Sequence, residues 1–280
     1  MSLVINHNLM AMNVARNLNS SYNALSDSTR RLSSGLRIGT AADDAAGLAI
    51  RELMRSDIAA LNQGVRNAND GISLIQTADG ALQVIDEKLI RMKELAEQAA
   101  TGTYDSTQRL LIESEYQQMA SEITRIANAT DFNGIKLLDG SLSGTHDGSE
   151  IKSKGALKIH FGPANDSAED YYYVEIGNAT ASALGVGNNA VGDGISISTQ
   201  QGAQRALQAL QNAIVSKDSI RAQLGAMQNR LENTISNLQI QAENLQAAES
   251  RISDVDIASE MTNFVKNFSG YNKRLFYLGF

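Results

Sequence analysis

The sequence predicts a mainly α protein: long antiparallel coiled-coil helices forming a rod, with a small β-hairpin region in the middle of the chain. Three observations carry that expectation. The 280 residues contain one proline, Pro163. A proline inside a helix costs about 3 kcal/mol, so its scarcity leaves very long helices open. Tryptophan is absent and aromatics make up 5%, so Leu, Ile, Val, Met and Ala must do the packing, a palette suited to helix-on-helix contact. Finally, apolar residues recur at alternating steps of three and four through both ends of the chain, whereas half of the 22 glycines fall between Gly134 and Gly194.

The first helix is expected from about Leu9 to Leu32. Ala11, Ala15, Leu18, Tyr22, Leu25, Thr29 and Leu32 form a heptad seam that keeps one stripe toward a partner. Gly35 suits a helix C-terminus. Thr40 to Asp43 reads as a variant capping box opening a second helix to about Ala100. Ile58, Leu61, Val65, Ala68, Ile72 and Ile75 mark its first seam. Ala78, Leu82, Ile85, Leu89, Met92, Ala96 and Ala99 continue it after a step of three where four was due, a stammer that overwinds a coiled coil. A third helix, about Ser106 to Asn128, carries Leu110, Tyr116, Met119, Ile123 and Ile126.

In the glycine-rich middle, Asn133-Gly134 and Asp139-Gly140 are hairpin-type turn signals. Leu157, Ile159 and Phe161 alternate with Lys158 and His160, and Tyr172, Val174 and Ile176 alternate likewise, which points to short half-buried strands. Ser198 and Gln201 then form a capping box for one last helix to about Phe264. Ile220, Leu224, Met227, Leu231, Thr234, Leu238, Gln241, Leu245, Ala248, Ile252 and Val255 hold four-three spacing along it. Such a helix would extend roughly 90–100 Å. Its backbone entropy, about 1–2 kcal/mol per residue, exceeds what two seam residues per heptad return at about 1.5–3 kcal/mol each. It therefore needs partners, and the N-terminal helices carry matching stripes.

Composition narrows the function classes. The absence of cysteine excludes disulfides and thiolate chemistry. A net charge of −7 argues against nucleic acid as partner. No apolar run is long enough to span a membrane, and no cleavable secretory signal is visible. His7, His146 and His160 share no ligand spacing, the Asp43-Asp44 pair suits a helix dipole better than acid–base work, and the acids between Asp147 and Asp170 lack calcium-loop spacing. No metal, cofactor or catalytic residue is expected, and the chain reads as a non-enzyme.

Several blocks carry a family resemblance. Ile5-Asn6-His7-Asn8, Arg31-Leu-Ser-Ser-Gly-Leu-Arg37, Ala41-Ala-Asp-Asp-Ala-Ala-Gly-Leu-Ala49, Asp131-Phe-Asn-Gly134 and Ala247-Ala-Glu-Ser-Arg-Ile-Ser-Asp-Val-Asp-Ile-Ala-Ser-Glu-Met-Thr-Asn-Phe264 resemble the terminal blocks of bacterial flagellins. The resemblance implies a structural subunit of the flagellar filament: self-assembly into a hollow helical homopolymer for motility, export through the flagellar apparatus without signal cleavage, a flagellin chaperone as partner, and an extracellular location in the flagellum. It divides the chain into 1–40 as the N-terminal part of an inner coiled-coil domain, 41–135 as N-terminal helices of a rod domain, 136–198 as its β-hairpin and turn-rich segment, 199–250 as its C-terminal helix, and 251–280 as a truncated or atypical C-terminal part of the inner domain. Leu18, Tyr22, Leu25, Leu32, Arg31, Ile252 and Val255 are the expected packing and assembly residues.

After Asn267 the sequence departs from the family pattern, and Phe268, Tyr271, Phe276, Tyr277 and Phe280 replace an apolar heptad. This predicts that the first helix lacks much of its partner, and sets an assembly-defective rod beside the filament subunit as an alternative. Leu89-Ile-Arg-Met-Lys-Glu-Leu-Ala-Glu-Gln98 resembles the patch through which many flagellins bind the flagellin-sensing Toll-like receptor of animals. The resemblance carries receptor contact to Arg91, Leu95 and Glu115. Arg91 and Leu95, four apart, share a helix face, and Leu95, flanking the seam, is expected to be partly exposed.

Overall fold

A computed structural model describes residues 9–149, 155–166, 169–187 and 195–278, without the side chains of Met10 and of 274–278. The Ile5–Asn8 block, His7 and Phe280 lie outside the described residues. The fold is mainly α. Five helices, α1 (Leu9–Ser34), α2 (Ala45–Ala100), α3 (Ser106–Ala129), α4 (Gln200–Ser253) and α5 (Ile257–Leu278), frame two small antiparallel hairpins, β1–β2 (Asp131–Phe132, Ile135–Lys136) and β3–β4 (Leu157–His160, Tyr171–Val174). The chain forms two compact units, one of residues 60–239 and one of residues 1–59 with 240–280.

The 60–239 unit is built on one apolar cluster. Leu82, Ile85, Leu89 and Met92 of α2, Tyr116 and Ile123 of α3, Leu210 and Leu224 of α4, and Leu137, Ile159 and Val174 from the hairpin region all belong to it. Cross-helix contacts fix the directions. Arg91 of α2 meets Glu115 of α3, while Lys93, Asp86 and Asp79 of α2 meet Gln211, Lys217 and Arg221 of α4 in falling against rising order. Both neighbours are therefore antiparallel to α2. The turn at Asn133 (φ 51°) and Gly134 (φ 79°) places two consecutive residues in the left-handed region, the geometry that an Asn-Gly hairpin selects. The β3–β4 alternation is as expected, with Ile159, Phe161, Val174 and Ile176 buried. This hairpin lies hard against α2. A Cβ on Gly64 would overlap the Phe161 carbonyl, one on Gly71 would collide with the Ile159 side chain, and Asn67 Nδ2 donates to His160 O at 2.8 Å.

In the other unit, α1 packs beside α5. Gly35 (φ 73°) ends α1, its N–H donating to Arg31 O at 2.9 Å, the expected left-handed cap. Four expectations require correction. The last helix does not run unbroken to Phe264: α4 stops at Ser253, because residues 253–255 pair with the α1–α2 connector instead. Arg37 N donates to Ser253 O, Val255 N donates to Gly35 O, and Leu36 bridges Asp254. Asp256 then caps α5 by accepting the N–H groups of Ala258 and Ser259. Second, Thr40–Asp43 is not the capping box of α2. Asp43 folds back onto Gly39 N and Thr40 N and Oγ1, and Asp44 caps the helix by accepting Gly47 N at 2.9 Å. Third, Thr199, not Ser198, accepts Gly202 N at the start of α4. Fourth, the aromatic segment after Asn267 continues α5, and Tyr271 lies 6.3 Å, ring to ring, from Tyr22 of α1. The first helix thus has a partner through at least this level.

Candidate assembly and recognition surfaces

The inner seam of α1 is shifted from the expected one. Leu18, Leu25 and Leu32 are half-buried and Ser28 is fully buried, whereas Ala11, Ala15 and Thr29 face outward and Tyr22 is 58% exposed. The rotation follows from the partner: α5 presents Glu260, buried, and half-buried Phe264 and Tyr271, and small Ser28 makes room where a leucine would not. Ile252 and Val255 are half-buried beside the connector pairing. Beyond this pairing, the unit keeps much apolar surface. Ile257, Met261, Val265 and Phe268 of α5, at steps of four, four and three, are all exposed, as are Leu9 and Met12 of α1. One α5 stripe therefore faces α1 and a second faces solvent.

A charged clasp fixes the α1–α2 connector. The Arg30 guanidinium donates to both Asp43 oxygens at 2.9 and 2.8 Å, and Thr40 donates from its N–H and hydroxyl. These hydrogen bonds, that from Arg30 first, hold the Asp43 carboxyl well below the usual carboxylate range and raise the Arg30 guanidinium. Arg31 of α1 lies 3.7 Å from Asp43 and 3.9 Å from Glu260 of α5, so one guanidinium stands between the connector and α5. Arg37 adds a bond to Ile252 O at 2.5 Å.

On the α2–α3 face, the three residues assigned to receptor contact separate. Arg91 and Glu115 are exposed and joined at 2.8 and 3.0 Å, with Glu94 at 2.9 Å on the other side of the guanidinium. Glu115 is the first cause of a raised Arg91 pKa. Leu95, by contrast, is 1% exposed and belongs to the core. Its expected partial exposure is overturned because α2 packs against two antiparallel neighbours, which buries a wider stripe than a two-helix seam covers. The apolar side chains that do reach solvent here are Ile90 on α2 and Leu110 and Leu111 on α3; Leu110 was expected in the packing of α3.

Sequence reasoning missed Lys217, a buried lysine between Asp86 and Asp218 at 2.6 and 2.7 Å. Extending the four-three spacing of α4 back from Ile220 would have reached it. Among the described residues no cluster of three His, Asp or Glu side chains is placed to hold a metal ion, and no helix is long and apolar enough to cross a membrane.

Comparison with known proteins places these features. Residues 5–143 match the bacterial flagellin N-terminal helical region and residues 207–269 the bacterial flagellin C-terminal helical region. Flagellin FlaB2 of Treponema pallidum (strain Nichols) is 41% identical over 95% of this chain and 91% of its own length. The flagellar filament 33 kDa core protein of Treponema phagedenis is 43% identical over the same shares. Among solved structures, a putative flagellar hook-associated protein from Vibrio parahaemolyticus shares the fold, with a TM-score of 0.58 at 14% identity over 76% of this chain and all of that one. Two terminal family regions in order, and relatives matched nearly end to end, establish that the chain belongs to the bacterial flagellin family.

Proposed function

We propose that the chain is a structural, non-enzymatic subunit that polymerises with copies of itself into the extracellular flagellar filament, through the helices near its two ends. The observation that carries this reading is the outward stripe Ile257–Met261–Val265–Phe268 on a helix already packed against α1. An apolar side chain returns about 1.5–3 kcal/mol when it leaves water. A unit with a second apolar stripe gains that energy only when another surface covers it, and in a homopolymer the cover is another copy. The match to filament core proteins supports the same reading, as does continuation of α5 past Asn267, which weighs against the assembly-defective alternative. Inner-domain boundaries near residues 40 and 251, export through the flagellar apparatus without signal cleavage, and a chaperone that covers the same helix before assembly belong to this proposal. The test is seeded growth: purified chain mixed with short filament fragments should elongate them, and Met261→Asp with Val265→Asp should abolish elongation while helical content stays. Elongation by the double variant at the normal rate would refute the reading.

A second reading, recognition by the flagellin-sensing Toll-like receptor, is favoured by the exposed Arg91–Glu115 pair, which unites two of the three family contact positions. Leu95 would serve it from beneath, as the packing that holds Arg91 in place. Arg91→Ala should weaken receptor signalling by the soluble chain at least tenfold with helicity intact; unchanged signalling would exclude this role.

A further inference from the structure

We infer that Lys217 and Arg221 of α4, with Asp86 and Asp79 of α2, are a register key that selects one alignment of the antiparallel α2–α4 pair. The seam of α4 descends Ala206, Leu210, Ala213, Lys217, Ile220 and Leu224 in unbroken steps of three and four, so Lys217 occupies a core position of the heptad. It is 1% exposed, yet its ammonium reaches Asp86 at 2.6 Å and Asp218 at 2.7 Å. One turn on, Arg221 Nε reaches Asp79 at 2.7 Å. Asp79 and Asp86 are one heptad apart, each directly after a buried seam residue, Ala78 and Ile85.

A heptad seam by itself tolerates a slip of seven residues, because each apolar position is replaced by another. The charges do not tolerate it. Sliding α4 one heptad in one direction sets buried Lys217 against half-buried Lys93, two cations face to face. Sliding it the other way sets Lys217 against Asp79, leaves Arg221 facing Ile72, and sets Asp86 against Leu210. Asp218 travels with Lys217, but each slipped alignment breaks a cross-helix ion pair and sets either buried Lys217 against a like charge or half-buried Asp86 against an apolar side chain, which is costly. An ion pair in this position adds little stability over an apolar replacement, since desolvation offsets the attraction; its product is specificity. Register selection is also the best-attested use of a lysine at a coiled-coil core position.

The cysteine-free chain makes the test clean. Spin labels at Glu97→Cys and Gln208→Cys, both exposed and at matching heights on α2 and α4, report their separation by electron paramagnetic resonance in the full chain. A one-heptad slip moves one label past the other by roughly 10 Å. The native chain and Lys217→Arg should give a single distance. Lys217→Met combined with Arg221→Met should stay helical, melt at the same temperature or higher, and show a second distance population above about a tenth. A single native distance in that folded double variant would overturn the inference. So would loss of its helical structure, which would make the pairs stability elements and not selectors of register.

Discussion

The two units use the same currency, apolar helix faces at heptad spacing, and reach opposite outcomes. In residues 60–239 the side chains of three helices and two hairpins close around one cluster, and Leu82, Ile85, Leu89, Met92, Leu137 and Leu138 leave water almost completely. In residues 1–59 and 240–280, Ile38 is buried, but the α1 seam is half-buried and the α5 stripe is exposed. A helix face leaves water only when another layer packs on it, and the outer face of α5 has no such cover among the described residues. The first unit is complete as a single molecule. The second keeps an apolar stripe open, the surface that the proposed assembly would cover.

This contrast can be broken most severely by deleting side chains on each side of it. Leu89→Ala should destabilise the isolated chain by about 2–5 kcal/mol, because the surrounding helices cannot close the cavity, whereas Leu18→Ala should cost under about 1 kcal/mol, since Leu18 is only half-buried. Urea denaturation of both variants measures the difference, and equal losses would erase the distinction. Gly64→Ala should come next. Its methyl group meets the Phe161 carbonyl, which is backbone and cannot rotate away, so β3 must shift at a cost of about 1–3 kcal/mol, seen as faster amide exchange in Leu157–His160.

A smaller effect with the opposite sign sharpens the claim of a complete core. The Tyr116 hydroxyl is buried in the 60–239 cluster and has no hydrogen-bond partner among the described residues; burial, with Glu113 nearby, raises its pKa. Tyr116→Phe should therefore stabilise by roughly 1 kcal/mol, measured by thermal melting; a destabilised variant would reveal a partner for the hydroxyl. The mildest effect concerns acid and the connector. Asp43 has a folded pKa depressed below its unfolded value, so its contribution is present above about pH 4, the ordinary carboxylate range, and is lost as the pH falls from there through the folded value. Protection of the 35–44 connector should fall in that window for the native chain, and Asp43→Asn should lack the dependence.

Much of this architecture was legible, and the failures have a common origin. The extents of α1 and α3, the Asn133-Gly134 turn and the β3–β4 alternation depend on neighbours within a few residues, and all were readable. What required knowing the partner was not. Leu95 reads as a seam-edge residue until α3 and α4 are seen to flank α2 together. Ser28 reads as a gap in the α1 stripe until α5 is placed beside it. The stop at Ser253 carries no proline or glycine signal; it exists because Ser253 O accepts from Arg37 N and Val255 N donates to Gly35 O, more than 200 positions away in sequence. Lys217 sits where the four-three spacing of α4 would continue back from Ile220, but its charge keeps it out of a pattern read from apolar residues. Of the candidate surfaces, the Arg91–Glu115 pair was visible through family resemblance alone, and the outward stripe of α5 emerged only once its inner face was assigned.

The most direct test of the central claim, that the unit holding both ends of the chain is half an interface, is amide hydrogen exchange compared between the free chain and the assembled filament. The account predicts that α1 and α5 exchange quickly in the free chain and gain at least a hundredfold protection on assembly, while Leu82–Met92 and Ile112–Ile123 are protected in both states. Equal protection of α1 and α5 before and after assembly would contradict it.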